Sequence, residues 1–270
     1  MDLAIKQRNH EISQEKRSLI TQRYKSITKA INRVFWYSES ETANSRYVGS
    51  YGRGTAIHTS DLDVLVELPK NEYNHFTSLQ GNGQSRLIQA VKDAVLNKYP
   101  NTDIKGDGQV VVVRFSDGMR FEILPAFLQE NQNTYLYPDT HMGGNWMSTN
   151  PIAEQEAMKK KNSEAESNGL LIDTCRHIRF VRDVCYSSYK LSGILIDSFV
   201  YSAIRDWHWL RNNESKSSLA TTYEQDLLNR YKNNGGSLLL APGSGMKVDL
   251  DDWEILGKVL QKWQENGNQG

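Results

Sequence analysis

The chain has 270 residues, 38% hydrophobic and 24% charged. This is an ordinary globular composition that excludes fibrous, collagen-like and wholly disordered classes, with enough chain for one large or two small domains. Lys plus Arg and Asp plus Glu each number 32, for a formal net charge of +0, so a generic electrostatic grip on duplex nucleic acid is not favoured, although a local basic cleft is compatible with that total. The N-terminus, from Met1, Asp2 and Leu3, carries charges through its first turns without the apolar centre of a signal peptide, and the apolar runs further on fall far short of a membrane span. A cytoplasmic protein without membrane contact is therefore expected. The only cysteines, Cys175 and Cys185, are too few for a disulfide framework or a four-thiolate zinc site and are expected to be reduced helix residues.

In chain order, Ile27, Ile31 and Val34 recur at helical spacing in a polar background, which predicts one or two amphipathic helices over about residues 5–37. A short apolar stretch at 46–49 leads into the turn-rich Gly49-Ser50-Tyr51-Gly52-Arg53-Gly54-Thr55. Residues 62–68 then alternate carboxylates with aliphatics, so the order strand, tight turn, short helix, strand is expected. Leu87, Ile88, Val91 and Val95 predict a helix ending before Pro100. Residues 109–115 and 119–124, separated by Ser116, Asp117 and Gly118, predict a hairpin. Beyond Pro125 strand signals nearly vanish, and 151–162, 170–186, 193–210, 223–231 and 251–263 read as helices. Residues 233–236 and 242–245 are loop punctuation, and 264–270 are expected to fray.

The chemistry concentrates in Gly49-Ser50 followed by Asp61-x-Asp63 at the start of an apolar strand. Residues two apart on a strand share a face, so two carboxylates stand side by side and repel unless a cation joins them. Hard oxygen ligands with one open side suit magnesium that also binds phosphate oxygens. A third carboxylate is expected from a neighbouring strand, and Glu122, in the apolar run Arg120-Phe121-Glu122-Ile123-Leu124, fits. Its competing reading is a solvated edge, or an ion pair with Arg114 or Arg120. Gly49 lets a phosphate approach the backbone, a helix starting there offers N–H groups to anionic oxygens, Ser50 adds a hydroxyl, and Tyr51 follows in a position to touch a nucleotide. The spacing matches neither a Walker loop nor a Rossmann turn.

Other features carry less. Arg176, Arg179 and Arg182 recur every three residues and either line a phosphate channel or form a solvated stripe; the channel reading is kept for Arg179. Trp207 and Trp209 are assigned to packing ahead of base stacking. Lys159 to Lys161 read as a solvated helix face. The six histidines lack zinc-ligand spacing, and no nucleophile elbow is present.

The runs Val48-Gly49-Ser50-Tyr51-Gly52-Arg53-Gly54-Thr55-Ala56-Ile57, Ser60-Asp61-Leu62-Asp63-Val64 and Phe121-Glu122-Ile123-Leu124-Pro125-Ala126 together resemble the polymerase-β-like nucleotidyltransferase superfamily. Within it they are most similar to the bacterial cyclic GMP-AMP synthase-like enzymes, the CD-NTases. Thr149-Asn150-Pro151 resembles the segment that follows the family's catalytic sheet. The resemblance implies an α+β fold, with a mixed catalytic sheet and N-terminal helices in 1–140 and a helical lobe closing the nucleotide cleft in 141–270. It implies attack of a ribose hydroxyl on the α-phosphate of a nucleoside triphosphate, with pyrophosphate leaving. Asp61, Asp63 and Glu122 would hold two magnesium ions, or manganese in their place, with Glu122 nearest the hydroxyl that loses its proton, and Ser50 would hold triphosphate oxygens. Glu122 stands where many members carry Asp. Arg179 stands where the family often has a triphosphate-binding Lys, and Ser198 resembles a second phosphate contact.

The expected activity is synthesis of a cyclic di- or trinucleotide messenger that activates a partner effector in anti-phage defence. A monomer is expected, and a nucleic-acid activator is not supported. The alternatives are a single-transfer nucleotidyltransferase acting on a small molecule, a protein or an RNA end, and a catalytically silent nucleotide-binding or antitoxin-like module.

Overall fold

The computed structural model describes residues 3–212, 214 and 221–267. The chain divides into two compact units: one comprises Ser13–Gly52 and Ser60–Pro151, the other Met1–Ile12, Arg53–Thr59 and Ile152–Gly270. A single cut at 140 would assign the segments Met1–Ile12 and Arg53–Thr59 differently. The class is α+β, as expected.

The first unit is a sheet with helices. Its elements are α1 (Gln14–Phe35), β1 (Ser45–Tyr47), α2 (Gly49–Gly52), β2 (Leu62–Glu67), α3 (Lys70–Ser78), α4 (Gly83–Lys98), β3 (Asp103–Asp107), β4 (Val110–Arg114), β5 (Arg120–Leu128), β6 (Tyr135–Asp139) and β7 (Asn145–Thr149). Five strands run in the order β1-β2-β5-β4-β3, and the far end of β5 carries β6 and then β7. Among the described residues, only β2 and β5 pair in parallel; the other pairings are antiparallel. The predicted hairpin is β4–β5, and the predicted helix before Pro100 is α4, whose Leu87, Val91 and Val95 are fully buried.

Four expectations changed, one of them the frayed end over 264–270, where a helix over Trp253–Gly267 keeps residues 264–267 helical. The N-terminal helix starts only at Gln14, because Arg8 and His10 take positive φ (54° and 61°) and the Ser13 hydroxyl accepts from Lys16 N to cap α1. Strands continue past Pro125: β5 runs on to Leu128, and β6, which buries Tyr135 and Pro138, forms a further hairpin with the largely exposed β7. The helix expected over 193–210 stops at Ala203.

The second unit contains α5 (Pro151–Lys161), α6 (Leu170–Cys185), α7 (Gly193–Ala203), α8 (Tyr223–Asn234) and α9 (Trp253–Gly267). Its core joins Leu171, Ile178, Leu195, Phe199, Leu227, Val259 and Trp263, and Leu3 of the N-terminal segment is buried among them. Cys175 and Cys185 are free thiols on α6. Among the described residues, no helix is long and apolar enough to cross a membrane.

Candidate active site

The turn after β1 is closed by Gly52 N–H donating to Val48 O at 2.9 Å, while Val48 N–H donates to the carbonyl of Asp63 at 2.9 Å. These bonds press the turn onto the start of β2. Gly49 has φ +56°, and a Cβ built on it would collide with the Asp63 carboxylate. Glycine is therefore required twice over, for the left-handed backbone and for the close approach. Ser50 and Tyr51 follow, both partly buried. The Tyr51 ring lies 4.5 Å from that of Tyr47, which stacks on Tyr24 at 4.3 Å, so Tyr51 is held in an aromatic column.

The parallel pairing of β2 and β5 sets Asp63 opposite Glu122. Their neighbours Leu62, Val64, Phe121 and Ile123 are all buried, so the two-residue period carries the acids to the other side of the sheet. Asp61 lies just before β2 and reaches the same cluster through Arg120. The guanidinium of Arg120 donates from Nη1 to Asp61 Oδ2 at 2.7 Å and from Nη2 to Glu122 Oε1 at 2.5 Å. Burial pushes the Glu122 carboxyl above its ordinary value; Arg120 opposes that rise, and the charges of Asp61 and Asp107 add to it.

The three carboxylates have the hard oxygens that a divalent ion takes. In this arrangement, however, no group of three or more His, Cys, Asp or Glu side chains among the described residues is placed to hold an ion. The cation that Asp61 and Glu122 share is Arg120. The ion pair with Arg120, weighed above as the competing reading of Glu122, is present alongside the alignment with Asp63.

In the helical unit, Asp197 is the hub of a buried charge network. It accepts from Arg53 Nε at 2.8 Å, Thr55 Oγ1 at 2.8 Å and Arg179 Nη1 at 2.7 Å. Arg53 Nη1 also donates to Glu154 Oε2 at 2.9 Å. Burial works against ionising Asp197, yet Arg179 and Arg53 hold its carboxyl below the usual range. Burial pushes Glu154 up, and Arg53 opposes it.

The profile of the SMODS family, the Second Messenger Oligonucleotide or Dinucleotide Synthetase domain, matches residues 5–162. This chain belongs to that family. Solved structures with a similar fold include the Elizabethkingia meningoseptica CdnE cyclic dinucleotide synthase with GTP and Apcpp (16% identity, TM-score 0.63, covering 93% of this chain and 92% of that one). The Bradyrhizobium diazoefficiens CD-NTase CdnG in complex with GTP is similar at 12% identity and TM-score 0.65, covering 96% and 87%. The Rhodothermus marinus CdnE c-UMP-AMP synthase with Apcpp and Upnpp is similar at 14% identity and TM-score 0.58, covering 92% and 92%. No curated protein matches the sequence. The SMODS chain thus has the polymerase-β-like CD-NTase fold that its motifs resembled, and is a nucleotidyltransferase of that family.

Within the SMODS chain, Gly49, Ser50, Tyr51, Asp61, Asp63 and Glu122 all lie in the sheet unit. Arg179 and Ser198 lie in the helical unit, in its interior. Arg179 is 4% exposed, with further hydrogen bonds to the carbonyls of Cys175 and Gly193. Ser198 is fully buried, and its Oγ has no hydrogen-bond partner among the described residues. Expected to face phosphate, both are placed where the core surrounds them. The other two arginines of the α6 stripe are partly exposed: Arg176 pairs with Glu11, and Arg182 with Asp183, which also accepts from Thr59. Trp207 and Trp209 donate to Asp226 and Asp173 at 2.8 Å each, which is the packing role assigned to them. Sequence reasoning weighed Arg120 only as a competing partner of Glu122, not of Asp61, and missed Arg53 with Asp197 as a buried pair. The Arg120-x-Glu122 spacing was the available signal, since it puts both side chains on one face.

Proposed function

We propose that this chain joins nucleoside triphosphates into a cyclic di- or trinucleotide, with pyrophosphate leaving at each bond formed. The observation that carries this reading is the register of Asp63 with Glu122, next to Asp61 and against the Gly49-Ser50 turn. Asp61, Asp63 and Glu122 would hold the magnesium or manganese ions, which when bound neutralise polyphosphate charge and lower the barrier to attack at the α-phosphate. The Ser50 hydroxyl and the turn around it bind triphosphate oxygens. Glu122 has a longer arm than Asp and a raised carboxyl, which suits it to take the proton of the attacking ribose hydroxyl. The similar structures hold GTP or the triphosphate analogues Apcpp and Upnpp, which supports triphosphate substrates here. The family resemblance supports a cyclic product read by a separate effector in anti-phage signalling.

The test is incubation of the protein with the four labelled triphosphates and magnesium, followed by phosphatase treatment and mass spectrometry, omitting each triphosphate in turn. A phosphatase-resistant product that is lost in the Asp61→Ala, Asp63→Ala double variant is expected. An unchanged product profile in that variant defeats the assignment, and nucleotide consumption only after an acceptor is added points to single transfer.

A further inference from the structure

We propose that Arg120 is a resident counter-cation of the carboxylate cluster, which divalent ions must displace, so that metal binding is held weak until a triphosphate arrives. The inference rests on the metal-holding role given above to Asp61, Asp63 and Glu122.

Three acids brought together on one side of a sheet repel one another, and the cluster has to gain protons or a cation. Arg120 precedes Glu122 by two residues on β5 and shares its face. Its two terminal nitrogens do not fork onto a single carboxylate, the usual bidentate arrangement. Each nitrogen takes a different one, Asp61 at 2.7 Å and Glu122 at 2.5 Å. The guanidinium therefore joins two of the three carboxylates that would hold the ions.

The hold on Arg120 is also narrow. Its Nε–H is buried without a hydrogen-bond partner among the described residues, so the guanidinium is fixed through those acids. The side chain is 29% exposed, and Asp61 is 43% exposed, which leaves a path to water for a long flexible arm. By contrast the side chains of Arg53 and Arg179, in the helical unit, are only 7% and 4% exposed, and the carboxyl of Asp197 that they share is fully buried. Arg120 is built to be replaced, and those two are not.

One consequence follows from charge alone. With Arg120 in place the cluster attracts a free divalent ion less strongly than three bare carboxylates would. A triphosphate that arrives with its own ion adds the negative charge needed to favour exchange. Arg120 thereby couples metal binding to nucleotide binding.

The experiment compares the wild-type chain with Arg120→Gln and Arg120→Lys, using Mn2+ titrated alone and with a non-hydrolysable α,β-methylene triphosphate. Binding is followed by electron paramagnetic resonance and by thermal melting. Without nucleotide, Arg120→Gln should bind Mn2+ on the order of tenfold more tightly than wild type, as expected from removing a charged hydrogen-bonded competitor. It should also gain less affinity than wild type when the triphosphate is added. In EDTA it should melt lower than wild type and recover more on Mn2+ addition. Arg120→Lys keeps the charge but not the two-point bridge and should fall between them; it carries the comparison if the Gln variant does not fold.

Equal or weaker Mn2+ binding by the variants, with wild-type binding intact, overturns the role of Arg120 while leaving the site assignment standing. Absence of Mn2+ binding by wild type even with triphosphate, or undiminished binding in Asp61→Ala, overturns the site assignment itself and the counter-cation with it.

Discussion

Asp63 of β2 stands directly opposite Glu122 of β5 in a parallel pairing of the sheet. A slip of a single residue would turn Phe121 to the acid face and drive Glu122 into the core. Because Leu62, Val64, Phe121 and Ile123 are buried, that slip is strongly disfavoured, and the hydrophobic core is what aligns the acids.

Asp63→Asn keeps the shape of the side chain and removes one charge from the cluster. Product formation should fall by about 10³-fold or more, in line with the loss of a preorganised electrostatic group, while the melting temperature should not fall, since a like-charge repulsion has been relieved. Product measured by mass spectrometry, set beside a thermal melt, checks both. A parallel loss of stability would give Asp63 a structural role.

Gly49→Ala and Gly118→Ala make a matched pair. Both glycines have positive φ, +56° and +85°, but a Cβ at Gly49 meets the Asp63 carboxylate and one at Gly118 meets nothing within 4 Å. Backbone strain of roughly 1–3 kcal/mol applies to each. Only Gly49→Ala should lose more than that and also lose synthesis, as read by urea unfolding and product assays. Equal effects would show that the contact with Asp63 is of no consequence.

Removing one partner from a buried ion pair leaves an uncompensated charge. Asp197→Asn and Arg179→Met should each cost roughly 3–5 kcal/mol, seen as a lowered melting temperature. Should Arg179→Met instead weaken triphosphate binding at unchanged stability, Arg179 would regain the phosphate role that its motif suggested.

The same network sets an acid limit. Burial would raise the Asp197 carboxyl, but Arg179 and Arg53 prevail and hold it below its usual 3.8. A lowered folded value contributes stability above the unfolded value and loses it as pH falls through the folded one. Glu154, pushed up by burial, has the opposite sign and weakens the fold as pH rises through its range. Urea midpoints should therefore drop below about pH 4, and Asp197→Asn should flatten that acid limb. An identical acid limb in the variant would remove Asp197 as its source.

The candidate site on the sheet was legible because it is written in local rules. The left-handed turn at Gly49, the two-residue period of Asp61-x-Asp63, and the aliphatic strands around Asp63 and Glu122 all act over a few residues. The β4–β5 hairpin and α4 were legible for the same reason. β6 and β7 were not, since β6 buries Tyr135 and Pro138 three residues apart and β7 is largely exposed, so neither has the two-residue apolar period that would announce a strand. Residues 5–12 keep a helical spacing while Arg8 and His10 break the backbone.

By itself, the sequence determined the residue types of the site, the turn that presents them, and the α+β class. It could not determine which charge meets which, because a guanidinium chooses its carboxylate by distance in space, and burial decides how strongly that choice matters. The fold turned Arg179 inward to Asp197, 18 positions along the chain, when its spacing also suited an exposed stripe. It placed Arg120 between Asp61 and Glu122, where β5 and the approach to β2, distant in sequence, are held side by side by backbone hydrogen bonds.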